Sequence, residues 1–64
     1  MKIKDVKSGS KVLTDFGKEV WIGPGYKRYR SYFETEKDYK NKTNVGFITI
    51  DSDVELLKEG EKDT

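Results

Sequence analysis

"GPGYKRYRSYFETEKDY", residues 23–39, decides how the rest of the chain is read. Two periods compete in it. As a strand, Tyr26, Arg28, Arg30, Tyr32 and Glu34 share one face, and Lys27, Tyr29, Ser31 and Phe33 share the other. As a helix, Tyr26, Tyr29 and Phe33 line up at i, i+3 and i+7, with Arg28 and Arg30 off that stripe. Pro24 is tolerated near a helix start, so the helix stays open. The abundance of tyrosine favours the strand, because aromatic side chains suit a pleated, half-buried surface. The strand predicts a mostly β domain, and the helix a small α+β domain.

On the N-terminal side, "VLTDFGKEVWI" (12–22) reads as two short strands around a turn at Asp15-Phe16-Gly17. Aspartate starts such turns and glycine takes the positive φ they need. Val20 and Ile22 then face one side, with Glu19 and Trp21 on the other. "GPG" (23–25) is expected to stop the second strand, since proline cannot donate to a sheet ladder. It matches neither the Walker pattern nor the dinucleotide fingerprint, so it reads as a turn rather than a phosphate loop.

On the C-terminal side, "ETEKDYKNKTN" (34–44) reads as a loop with room for one helical turn. "VGFITID" (45–51) reads as a strand with Phe47 and Thr49 on one face and Ile48 and Ile50 on the other. Gly46 marks a bulge or a close backbone approach. "DSDVELL" (51–57) reads as a turn and a short terminal element that returns Val54, Leu56 and Leu57 to the core. The reading is one β-rich domain over 1–58 and a frayed, charged tail over 59–64.

Sixty-four residues form at most one domain. A chain of that size buries only about 60% of the surface exposed on unfolding. Eight of its apolar residues are aromatic, and such rings, Trp21 included, are expected to fill much of a small core. Alanine, the strongest helix former, does not occur, which favours β structure. Cysteine and histidine are also missing from the chain, so disulfides, thiolate–imidazole zinc sites and histidine acid–base chemistry are excluded. Asp51, Asp53 and Glu55 alternate but lack the EF-hand spacing, and read as an ordinary Asp/Ser turn. No enzyme, metal or cofactor is expected. With no apolar run of signal-peptide or membrane-span length, a soluble cytoplasmic protein is expected, without a membrane partner.

The entry "IKDVKSGSKVL" (3–13) resembles the opening of SH3-like small β-barrels. An apolar pair, Ile3 and Val6, precedes a glycine turn at Gly9, and the first strand follows at Val12. "VGFITIDSDVELL" (45–57) is similar to the way such barrels close. The resemblance implies a barrel of about five short strands. It carries no motif for a particular activity, and such folds host many functions.

Charge is unevenly spread. Residues 1–32 hold eight Lys/Arg and three Asp/Glu, whereas residues 33–64 hold five Lys and nine Asp/Glu. The halves either attract each other in the fold or form a basic face. The candidate binding residues are Tyr26, Lys27, Arg28, Arg30 and Tyr32. Tyrosine and arginine dominate protein interfaces, so docking to a larger protein is favoured. Small, cysteine-free chains of mixed charge suggest a bacterial or phage accessory protein. Nucleic-acid binding is the alternative, because cations beside exposed rings suit phosphates and bases. A pI of about 7.9 and the acidic second half speak against it. A homodimer formed by pairing edge strands is a third expectation.

Overall fold

The computed structural model describes residues 1–60, apart from the side chain of Tyr26. A 3-10 turn at Ile3–Asp5 precedes five strands: β1 Lys11–Thr14, β2 Glu19–Tyr26, β3 Tyr29–Phe33, β4 Gly46–Thr49 and β5 Val54–Lys58. One short helix, α1 Glu36–Asn41, joins β3 to β4. The strands make one antiparallel sheet in the order β4-β3-β2-β1-β5. The protein is mostly β, and Tyr29–Phe33 of the deciding stretch is strand.

The first hairpin follows its sequence signals. Thr14 N–H donates to Lys18 O at 2.8 Å, and Gly17, at φ 86°, donates its N–H to Thr14 O at 3.0 Å. Val12 pairs with Val20, and both are sealed with Ile22 on the inner face. Trp21 lies on the outer face, half-buried, with the Lys11 ammonium 4.9 Å from its ring centroid. The single tryptophan therefore does not fill the core.

"GPG" does not stop the second strand, contrary to expectation. β2 pairs with β1 through residues 19–21 and with β3 through residues 21–26. Its register with β3 shifts between Ile22 and Gly25, so Pro24 sits in the irregularity, where no ladder donor is required. The bulge lets one strand serve both neighbours. The chain then reverses at Lys27-Arg28, with Tyr26 opposite Tyr29. A single extended run was expected through this stretch. The turn breaks its alternation.

The 34–44 segment holds the one helical turn allowed for it. Thr35 caps α1 by accepting the Asp38 N–H on its hydroxyl at 3.0 Å. Lys42 ends it in the left-handed conformation, φ 58°. Gly46 is a close approach: a Cβ there would lie 2.5 Å from Cζ of Tyr32.

The core is aliphatic rather than aromatic. Ile3, Val6, Val12, Val20, Ile22, Ile48 and Val54 form it, with Tyr32 packed against its edge. Each such side chain removed from water contributes about 1.5–3 kcal/mol. Leu56 and Leu57, expected to return to the core, are exposed because β5 buries only Val54. Residues 1–4 close one end of the sheet. Ile3 N–H and Lys4 N–H donate to Ser52 O and Ile50 O, and Val54 N–H donates to Met1 O. These bonds fasten the N-terminal segment between the ends of β4 and β5. Glu59 and Gly60, assigned from sequence to the tail, are held: Glu59 pairs with Lys7 at 3.3 Å and Gly60 N–H donates to Ser10 Oγ at 2.7 Å. The rest of the expected tail, 61–64, lies outside the described residues. Among the described residues no helix is long and apolar enough to cross a membrane.

Candidate interaction surface

The five residues singled out from sequence do not share a face. Lys27 and Arg28 form the exposed tip of the β2–β3 hairpin. The side chain of Tyr26 lies outside the described residues. Arg30 and Tyr32 alternate on the inner face of β3. Arg30 thus has to be corrected from a surface cation to an interior one.

Its surroundings explain why the interior accepts it. Arg30 is only 9% exposed. Nε donates to Gly23 O at 2.9 Å, and Nη1 donates to Ile3 O at 2.9 Å and Val6 O at 2.8 Å. The bulge of β2 leaves the Gly23 carbonyl turned toward the guanidinium, while the 3-10 turn supplies the other two. Burial lowers the basicity of Arg30, yet a guanidinium stays charged in proteins. One side chain therefore ties the N-terminal segment to the middle of the sheet.

Tyr32 is half-buried between the core and Gly46. It contributes packing, with its ring laid over the glycine of the neighbouring strand.

The opposite face of β3 and β4 carries the exposed rings. Tyr29 pairs with Thr49 and Ser31 with Phe47, which places these four side chains together on the outer face. Tyr29 is 50% exposed, Phe47 66%, and Val45, two residues before Phe47, 45%. Ser31 Oγ donates to Pro24 O at 2.9 Å. Further along, Phe33 is buried under Tyr39 of α1, the two rings edge-on at 5.7 Å. The Lys42 ammonium caps both, 4.2 Å from the Tyr39 centroid and 5.7 Å from that of Phe33. An aromatic strip thus runs between a cation at the end of α1 and the cationic hairpin tip.

Acidic groups near α1 are engaged. Glu34 pairs with Lys18 at 3.4 Å and Glu36 with Lys40 at 4.0 Å. Asp38 accepts from Thr43 Oγ1 at 2.9 Å and Asn44 Nδ2 at 3.2 Å. The Thr43 hydroxyl, followed by Thr35 and Asn44, holds the Asp38 carboxyl below its usual range.

Two hollows flank the sheet. A cleft of about 330 Å³ lies between Trp21, Tyr39, Lys40, Lys58 and Gly60. A groove of about 310 Å³ lies over Arg30 between Lys4, Ser8, Pro24 and Gly25. Among the described residues no three acidic side chains converge as metal ligands.

Sequence reasoning missed Phe47 and Val45 as surface residues. The alternation did place Phe47 opposite Ile48, but it could not say which of the two faced out. No local signal settles it: Ile48 faces in because it stands opposite the buried Arg30, a pairing set across the ladder. Compared with known proteins, the chain matches no family model, no curated protein and no solved structure.

Proposed function

We propose that this protein is a non-catalytic docking module of the SH3-like barrel type, which binds an acidic patch on a larger protein. The strip of Tyr29, Phe47 and Val45 carries the reading. Tyr29 and Phe47 are large rings held exposed on a two-strand ladder, with Val45 just before it, in a chain that is 39% charged. Exposed rings on a fixed scaffold lose little entropy on binding and fill pockets on a partner. Lys27 and Arg28 at one end and Lys42 at the other give the strip a positive rim, which selects an acidic surround. The strand order, the bulged β2 and the 1–4 segment between β4 and β5 support the barrel description.

Variant-dependent capture tests the reading. Immobilised wild type should retain a defined protein. Phe47→Ser should lose at least about tenfold in affinity if the ring is a hot spot. Circular dichroism should show its fold intact. Arg28→Glu should slow association and reverse its salt dependence. Retention of the same protein by a folded Phe47→Ser/Tyr29→Ser variant would remove this surface from consideration. The same strip suits nucleotide bases, with Arg28 on a phosphate. Oligonucleotide binding whose affinity falls with salt at a slope of about −0.9 per phosphate contact on duplex DNA would replace the protein-docking reading.

A further inference from the structure

Arg30 is fully accounted for on one side and open on the other. Its three hydrogen bonds use Nε and Nη1 and all end on backbone carbonyls. Among the described residues Nη2 donates to no protein group, yet no sealed side-chain nitrogen or oxygen there lacks a partner. Nη2 therefore reaches the surface, and the hollow that Arg30 lines is the groove of about 310 Å³. Among the described residues no carboxylate pairs with the guanidinium, and burial lowers its basicity. Carbonyl dipoles stabilise a buried cation without neutralising it.

The groove wall extends the pattern. Among the described residues Lys4, Lys7 and Arg30 line it and no acidic residue does. Lys7 is engaged by Glu59 at 3.3 Å. Ser8, only 8% exposed, borders this groove as well as the cleft beside Trp21, and its hydroxyl makes no hydrogen bond among the described residues. Pro24 and Gly25 form the far wall, where the strand bulge opens the surface.

We propose that this groove is a binding site for a phosphate group, held by Arg30 Nη2 and Ser8 Oγ with Lys4 closing over it. A tetrahedral oxyanion accepts from several donors at once, and charge-assisted bonds of this kind are the strong ones. "GPG" thus borders an anion site without being a phosphate loop, because the cation comes from the strand opposite. The site lies across β3 from Tyr29 and Phe47 and does not depend on the docking reading.

Titration of the full chain with inorganic phosphate, followed by backbone and arginine Nε–H NMR shifts, tests it. Saturable shifts are expected at Ser8, Gly25 and Arg30, with none from sodium chloride at equal ionic strength. Ser8→Ala should weaken phosphate about fivefold, the worth of one hydrogen bond. Lys4→Gln should weaken it about threefold, as for an exposed ion pair. Neither variant removes a hydrogen bond of Arg30, so the fold remains as an internal control. Glycerol phosphate binding as tightly as the free ion would mark an organic phosphate as the ligand; binding of the free ion alone would mark phosphate itself. Linear shifts without saturation, equal binding of acetate, or unchanged affinity in the Ser8→Ala/Lys4→Gln double variant would each overturn the proposal.

Discussion

Replacing Arg30 by methionine keeps the bulk of its aliphatic stem and deletes the three bonds to Gly23 O, Ile3 O and Val6 O. A hydrogen bond to a charged donor is worth about 1.5–3 kcal/mol, so a simple sum of three would consume most of the stability of the domain. Two effects reduce it. Ile3 O keeps the Val6 N–H at 3.0 Å, and methionine escapes the desolvation cost carried by the cation. A buried carbonyl left unsatisfied costs about 1–3 kcal/mol, and the lower half of that range applies to Gly23 O and Val6 O because the groove admits water. At about 0.05–0.15 kcal/mol per residue, a domain of this size holds only about 3–10 kcal/mol in total. Arg30→Met should therefore lose about 3 kcal/mol and drop the Tm by about 12–24 °C. Urea unfolding followed by Trp21 fluorescence measures it directly. Arg30→Lys should recover little, since an ammonium has no fixed fork to reach carbonyls in two directions. Arg28→Ala, at the exposed tip, should stay within about 0.5 kcal/mol of wild type. If Arg30→Met unfolds within about 1 kcal/mol of wild type, the argument that this side chain anchors the N-terminal segment is wrong.

Gly46→Ala should cost about 1–3 kcal/mol, because its Cβ would meet the Tyr32 ring; the loss should shrink by at least half in a Tyr32→Ala background, and equal losses in both would exclude that clash. Thr35→Ala removes the cap of α1 and should cost about 1 kcal/mol, seen as faster hydrogen exchange in Glu36–Asn41; unaltered exchange there would mean the cap is idle. Lys27 holds φ 57° in a two-residue turn, so Lys27→Gly should raise the urea midpoint by the equivalent of about 0.5–1 kcal/mol, and a lower midpoint would show an unstrained turn. The Asp38 carboxyl titrates below its unfolded value, so its contribution is present at neutral pH and is lost as pH falls through that depressed value; Asp38→Asn should flatten the Tm–pH curve below about pH 4, and parallel curves would contradict it.

Much of the sheet was legible because its signals are local. Alternation in "KEVWI" puts Val20 and Ile22 on one face and Glu19 and Trp21 on the other, and Asp15-Phe16-Gly17 closes the hairpin without help from elsewhere. Val54 was legible as core from its place after the Asp/Ser turn. What escaped were features set by distant partners. Pro24 read as a stop because proline lacks a donor, but β2 has already left β1 there and needs none. Lys27-Arg28 carries no Gly or Asn, so no turn residue announced the reversal. Arg30 read as surface because isolated arginines are solvated. Only three carbonyls, two of them from residues 3 and 6, make its burial tolerable, and nothing near position 30 encodes them. The candidate binding surface moved accordingly, from alternate residues on one strand to cross-strand neighbours on two.

The position of β1 between β2 and β5 has a consequence for biosynthesis. As the chain leaves the ribosome, β2, β3 and β4 can zip up in order, each onto the strand just made. β1 keeps one side bare throughout, until Val54–Lys58 emerges to cover it. A polypeptide stalled before that point would expose Val12 and Leu13 along an open edge, ready to stick to any other nascent strand.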